Sequence, residues 1–367
     1  MLIFVHRKFH TMSTNTVNIS IQKVAKSRIT DVDFENLPFG KEFSDHMVEI
    51  DYADGQWGEP TIVPFANLSI HPATSALHYG QAIFEGLKAQ KAANGDVLVF
   101  RPDMNAKRFA ESAKRMCMAS VPEDMFLASL EALLKLDRDW VPTKEGQSLY
   151  IRPFMIATDE YVGIRPSENY KFIILTCPVG AYYSEPVKVK IETEYTRAAA
   201  GGVGRAKAAG NYAASLYPAK LGAEQGYRQL VWTDAKTHKY IEEAGTMNIV
   251  FVIGDTIITP SEENDTILKG ITKRSVLEVA QDWGYKIEER DVTVEEVMNA
   301  IKDGTLKDAF GAGTAATIAP ISSVGFEGVD YDLPAVESRE FSNKVKDYLT
   351  KYKAGEVEDK FGWLMRV

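Results

Sequence analysis

Apolar residues recur at helical spacing in two stretches of the first half. Over residues 105–118, Phe109, Ala113 and Met116 share one face, with Arg108, Ser112 and Arg115 beside it, which predicts an amphipathic helix. Over 122–137 the stripe is stronger, with Leu127, Leu130, Leu133 and Leu134, and Pro122 suits a first turn. Strand-like runs follow at 148–156 and 172–176, and periodicity then fades over roughly 179–204. The region before about residue 60 is irregular, with Asp51-Tyr52-Ala53-Asp54-Gly55 as a turn between short strands. The second half alternates strand and helix. Strands are predicted at 229–233, 249–253 and 256–259, the last two joined through Gly254-Asp255. A helix over 272–283 is stopped by Gly284, and Thr293-Val294-Glu295-Glu296 is a capping box opening a short helix through Ala300. Residues 307–318 read as a glycine-interrupted loop, and 334–353 as a final helix packed on the outside.

The chain's 367 residues are enough for two domains with real cores. We place the small α/β domain at 34–183, an interdomain linker at 184–206 and the large α/β domain at 207–367, after an N-terminal extension at 1–33. A net charge of −9 argues against a nucleic-acid partner, which needs concentrated positive charge. No apolar run approaches the roughly 20 residues that span a bilayer. Cys117 and Cys177 both lie in apolar contexts and are expected as buried free thiols, which fits a reducing cytoplasm. The run Leu2 to Val5 is shorter than the roughly 7–15 residues of a secretory core, and its basic residues follow it. Two readings of that segment stay open, a short mitochondrial presequence or an upstream start with Met12 as the first residue; the assignment is cytoplasmic.

Candidate chemistry centres on Gly201-Gly202-Val203-Gly204-Arg205-Ala206-Lys207-Ala208-Ala209-Gly210-Asn211-Tyr212. Small neighbours leave the lysine amine unshielded and let backbone approach a ligand, and an amine in a poorly hydrated setting can attack a carbonyl. By itself the segment reads more readily as a glycine-rich surface loop with an ordinary lysine, and only distant residues overturn that reading. Common nucleotide motifs fail here: Gly202-Val203-Gly204 has no third glycine in register, and Ala208 stands where a phosphate loop needs Ser or Thr. There is no Gly-x-Ser-x-Gly elbow and no histidine or cysteine pair with metal spacing, so no metal is expected.

Set beside other segments, the lysine gains meaning. These are the run from Ala76 to Gly86 (ALHYGQAIFEG), Phe100-Arg101-Pro102 leading to Arg108, Ser148-Leu149-Tyr150-Ile151-Arg152-Pro153, Cys177 to Tyr182 (CPVGAY), Glu243-Ala244-Gly245-Thr246-Met247-Asn248 and Gly311-Ala312-Gly313-Thr314-Ala315. In this order, from about Phe34 to about Tyr348, the chain resembles the branched-chain amino acid aminotransferases, the fold-type IV group of pyridoxal-phosphate enzymes. The resemblance implies an α/β (α+β) two-domain fold with the active site at the domain interface. It implies pyridoxal 5'-phosphate as cofactor, amino acids and 2-oxo acids as small-molecule partners, and a homodimer.

The same resemblance assigns roles. Lys207 would carry the cofactor as a Schiff base and shuttle a proton between substrate Cα and cofactor C4′. Glu243 would face the pyridine nitrogen, with Glu242 pointing to solvent. Tyr212 would bond the phenolate oxygen, and Thr246 would lie near the ring. The phosphate would be held by Arg108, the amides of Ile271 and Thr272, and the Thr314 hydroxyl, with Arg115 a plain surface charge. The amides of Thr314 and Ala315 would hold the substrate α-carboxylate. Phe84, Tyr79, Tyr150, Tyr182, Val162 and Ile164 match the side-chain pocket, part of it contributed by a neighbouring subunit, and Arg152 would meet the glutamate carboxylate. Arg152 also reads as a buried structural arginine. Two departures stand out. No Cys-x-x-Cys follows the Gly-Thr-Ala turn, so no redox switch is possible there, and the first dozen residues match nothing in the family. The expected reaction is transamination of leucine, isoleucine and valine with 2-oxoglutarate. The alternatives are a D-amino-acid aminotransferase, an aminodeoxychorismate lyase, or a non-catalytic cofactor-binding protein.

Overall fold

The computed structural model describes residues 17–180 and 185–367. Tyr182, Met12 and the apolar run from Leu2 lie outside the described residues.

Two mixed sheets carry the fold. The first runs Ser20–Ile21, Thr61–Pro64, His46–Ala53, Tyr170–Val179, Ser148–Ala157, Leu87–Lys91, Val97–Phe100, Leu364–Arg366, with Gln56–Trp57 and Ala82–Phe84 paired off that path. Its longest ladder is antiparallel, Ser148 opposite Val179 through Ala157 opposite Tyr170. Helix α1 (Ser75–Tyr79) precedes the strand Ala82–Phe84. Helices α2 (Pro102–Arg115) and α3 (Glu123–Leu136) bury Phe109, Phe126, Leu130 and Leu133 against Ile151 and Phe172 of the sheet. The early region holds an eight-residue strand, His46–Ala53, where only short strands are expected, because Met47, Val48 and Ile50 are buried.

The second sheet runs Ile241–Ala244, Gln229–Thr233, Val187–Ile191, Thr317–Phe326, Leu306–Gly313, Met247–Ile253, Thr256–Pro260, Lys286–Arg290, with Val329–Asp332 paired to Thr317–Phe326. Ile241–Ala244 also pairs with Met247–Ile253, so the first six strands of that path close into a ring. Val189, Val231, Ile249, Phe251, Ile321 and Val324 share one apolar core.

Three departures from the sequence reading have simple causes. Val187–Ile191, inside the stretch expected as linker, is a strand of the ring, because alternate Val187, Val189 and Ile191 are buried. Residues 307–318 are mostly the hairpin Leu306–Gly313 and Thr317–Phe326; its glycines pack on Met247 rather than loosening the chain, and only a short turn remains loop. The helix α4 (Ala209–Glu224) has no apolar stripe to announce it: Asn211, Pro218 and Gly222 are its buried residues.

The remaining helices are α5 (Ile271–Asp282), α6 (Val294–Lys302), capped by the Thr293 hydroxyl accepting from Glu296 N at 3.0 Å, and α7 (Glu340–Ala354). α7 is not an outer helix. Its Phe341, Val345, Leu349 and Tyr352 join Leu98 of the first sheet to Val250 and Phe310 of the second and to Val276 of α5. The chain then returns to the first sheet as Leu364–Arg366, held where Arg101 lies 4.7 Å over the Trp363 ring and Phe100 meets that ring edge-on at 5.5 Å. Cys117 is a correction: it is exposed in a left-handed backbone conformation just past α2, while Cys177 is buried, and both are free.

Candidate active site

The glycine run before Lys207 is pinned at several points. Arg115, expected as a plain surface charge, donates from Nη2 to the carbonyls of Gly201 and Gly202, each at 2.9 Å. Asn211, in the first turn of α4, donates to the Val203 and Ala206 carbonyls at 2.9 Å each. Lys207 itself is tied through its backbone: its N–H donates to Ser112 Oγ of α2 at 3.0 Å, and its carbonyl accepts from Phe84 N at 3.0 Å. Its side chain therefore leaves a fixed stem. The Nζ donates to the Tyr212 hydroxyl at 2.8 Å and lies 4.9 Å from the Phe84 ring centre.

One cavity receives this amine and is also lined by Arg108, Tyr212, Glu243, Thr246, Ile271, Thr272 and Thr314. All eight residues expected to hold the cofactor thus face one space. Glu243 sits on the strand Ile241–Ala244 and is buried. Burial pushes its carboxyl above the usual range, against the pull of Arg197, whose Nε is 3.1 Å from Oε2. Leu268 N donates to Glu243 Oε1 at 2.7 Å, and Asn248 Nδ2 does so at 3.3 Å. Glu242 is a correction. It does not reach solvent but is buried, its carboxyl raised by burial and its Oε2 unpartnered, lining a separate cavity with Asp234, Tyr240 and Thr266.

Arg108 leaves α2 toward the cavity and is held by Glu85 at two points, Nε to Oε1 and Nη2 to Oε2, both 2.8 Å. Asn105 donates to Glu85 Oε2 at 2.7 Å. Burial pushes the Glu85 carboxyl up, but the Arg108 charge and hydrogen bonds outweigh it and hold the group below its usual range. The first amides of α5, at Ile271 and Thr272, open beside this guanidinium into the same cavity, with Gly270 as N-cap. A guanidinium, a helix N-terminus and a threonine hydroxyl form a donor set matched to a phosphomonoester, and a buried carboxylate opposite a lysine amine suits a pyridine ring with an aldehyde.

The substrate-side residues divide. The Arg152 guanidinium is 4.7 Å from the Phe84 ring and 5.3 Å from the Tyr150 ring, with Nη2 donating to the Tyr150 hydroxyl at 2.9 Å. Phe84 meets Tyr212 edge-on at 4.7 Å. A Cβ at Gly86 would collide with the Tyr150 hydroxyl, so only glycine lets that ring approach. Ala315 lines an adjoining cavity that shares Thr272 and Thr314 with the first. Tyr79, Val162 and Ile164 are not brought to the cavity; they are exposed at 41%, 65% and 93%.

The model of the family described as amino-transferase class IV matches residues 82–324. The chain belongs to this family. Branched-chain-amino-acid aminotransferase 2 of Bacillus subtilis is 42% identical over 97% of this chain and 98% of its own length. A probable branched-chain-amino-acid aminotransferase of Staphylococcus epidermidis is 46% identical over 91% of this chain and 94% of its own. Among solved structures, the branched-chain amino acid aminotransferase of Escherichia coli superposes with a TM-score of 0.69 at 25% identity, covering 86% of this chain and 98% of the other. The enzyme of Thermobaculum terrenum in its PLP form gives 0.68 at 21% identity, over 89% and 99%, which bears on fold alone.

Several residues of this class IV site escaped the sequence reading. Glu85 and Asn105 lay within or near the segments compared but had no assigned role, and their pairing with Arg108 could be anticipated from a buried arginine's need for a counter-charge. Arg197 sits in a stretch without periodicity, and Ser112 reads as an ordinary helix residue. Neither carries a local signal.

Proposed function

We propose that this class IV amino-transferase interconverts leucine, isoleucine and valine with their 2-oxo acids, with glutamate and 2-oxoglutarate as the second pair, on pyridoxal 5'-phosphate. The observation that carries it is the single cavity in which the Lys207 amine meets Tyr212, Glu243, Arg108 and the amino end of α5. The substrates follow from the names of relatives that are 42–46% identical over more than nine-tenths of this chain.

When bound, the cofactor supplies an aldehyde for the amino group and a ring that accepts the electron pair left at substrate Cα. Lys207 Nζ is the group that takes the Cα proton, and Tyr212 orients it. Glu243 holds a proton facing it in place, with Arg197, Leu268 N and Asn248 fixing its oxygens. Arg108, locked by Glu85, would hold the phosphate together with the amides of Ile271 and Thr272 and the Thr314 hydroxyl, and Thr246 would stand beside the ring. The amides of Thr314 and Ala315 hold the substrate α-carboxylate. Phe84 and Tyr150 give the aliphatic side chain an apolar wall, and Arg152, stacked on both rings, meets the carboxylate of glutamate. Tyr79, Val162 and Ile164 complete the pocket of a partner subunit in a homodimer.

We assign the small domain to the first sheet with α1 to α3 and the large domain to the second, dividing between Val179 and Val187. Among the described residues no helix is long and apolar enough to cross a membrane, and both cysteines are free; a cytoplasmic location accords with both. The test is a panel of amino donors, L- and D-leucine included, with 2-oxoglutarate. Turnover of the L-branched-chain donors is expected. Activity on D-leucine alone would favour the D-amino-acid alternative. A cofactor absorption band removed by borohydride, without turnover of any donor, would favour a non-catalytic binder.

A further inference from the structure

Behind the Thr314–Ala315 turn lies a second cavity, walled by Lys88 of the strand Leu87–Lys91 and Lys353 near the end of α7. Lys88 Nζ donates to the Ala315 carbonyl at 2.6 Å. Lys353 Nζ donates to Thr317 Oγ1 at 2.8 Å and lies 4.9 Å from the Phe100 ring centre. The two ammonium groups therefore grip the turn at both of its ends. Thr317 needs the grip: its φ of +61° is a left-handed conformation that a β-branched residue rarely adopts.

Charge makes the arrangement unusual. Lys353 is nine-tenths buried, and among the described residues neither lysine has a carboxylate within ion-pairing distance. Glu145, Glu185, Glu337 and Lys346 line the same cavity without pairing to either. Ser148 Oγ, buried in its wall, has no partner. A buried cation and a half-buried one beside it, without a counter-charge, are costly, and an anion at the turn would relieve the cost. Such an anion, the substrate α-carboxylate, is the one the function proposed above puts on the amides of Thr314 and Ala315.

We propose that Lys88 and Lys353 are positioning residues for the substrate α-carboxylate, fixing the 314–317 turn from behind and giving it the positive charge that its amides lack. The proposal rests on the class IV reading of that turn. It carries a pH signature. Burial pushes Lys353 down to about 7, with Lys88 adding to the effect, and burial pushes Lys88 down to about 8. A carboxylate bound nearby favours the charged forms and raises both values. Carboxylate affinity is therefore full below the free-state value of Lys353 and is lost as pH rises through the bound-state values.

Calorimetric titration of the holoenzyme with 4-methylpentanoate, which has the shape of leucine without its amino group, tests this between about pH 6 and about pH 9. The wild-type affinity should fall roughly tenfold or more across that range. Lys353→Met should bind roughly tenfold more weakly at the acid end and lose the step near neutrality, while Lys353→Arg restores the acid-end affinity. The other titrating groups of the site are common to all three proteins, so the difference between their profiles is the readout. Should Lys353→Met fail to fold, Lys88→Met and the wild-type profile decide. Wild-type affinity and profile in a folded Met variant, or a flat profile in the wild type, overturns the proposal and leaves the aminotransferase reading standing. Absence of 4-methylpentanoate binding at every pH overturns both.

Discussion

The Lys207 amine reaches the Tyr212 hydroxyl because Tyr212 stands in the first turn of α4, and because Ser112 and Phe84 hold the lysine backbone from two sides. Replacing it should therefore remove chemistry without disturbing the frame. Lys207→Ala is expected to lower leucine-dependent glutamate formation by about 10³-fold or more, with an unchanged far-ultraviolet circular dichroism spectrum. Glu242 and Glu243 show what adjacency leaves undecided. Alternation along the strand sends Glu243 to the cofactor cavity and Glu242 to the other face, yet both are buried. Because burial raises the Glu242 carboxyl, the folded protein keeps a proton that the unfolded chain has already released as pH rises past the ordinary glutamate value. Stability from this group is thus present at low pH and declines as pH climbs toward the raised value. Glu242→Gln should match the wild type in urea denaturation near pH 4 and exceed it near pH 8. A difference that shrinks with pH would contradict this account.

Elements with a clear apolar stripe were legible along the chain, and those without one were not. α3 stands almost where Leu130, Leu133 and Leu134 place it, whereas α2 begins earlier than its stripe, at Pro102, whose fixed φ suits a first turn. α4 follows the lysine unannounced, because its glycines and Pro218 carry no periodic face. The glycine-rich 307–318 segment misled for the opposite reason: a glycine in a strand can mark close packing, here against Met247, as readily as a loop. α7 is the element whose burial the pattern understated. Leu349 is fully buried in the cluster that joins both sheets, so Leu349→Ala should cost about 2–5 kcal/mol in urea denaturation. Since Leu349 lines neither cavity of the site, the KM for leucine should stay near its wild-type value.

The molecule as a whole brings its site together by closing one sheet into a ring and seating the other beside it, which sets Arg108 from α2 against Glu243 from the ring in one cavity. It also leaves Leu77, Tyr79, Tyr161, Val162 and Ile164 exposed. In a homodimer those side chains would be covered, and a charge among them would not be tolerated. Ile164→Glu is expected to shift the sedimentation coefficient from dimer to monomer and to lower specific activity as protein concentration falls. A dimer that persists with full activity would rule out this face. By itself the sequence determined the chemical inventory: a lysine among small residues, a carboxylate, an arginine on an amphipathic helix and a Gly-Thr-Ala turn, in an order that places the chain among the class IV amino-transferases. Only the tertiary structure decided that Glu85 locks Arg108, that Arg197 meets Glu243, and that Lys88 and Lys353 stand behind the Thr314–Ala315 turn. The physical reason is range. Local spacing fixes backbone conformation and which face a side chain takes, but a buried charge is balanced by whatever the fold brings within a few ångströms, from residues as far apart in sequence as Lys88 and Ala315.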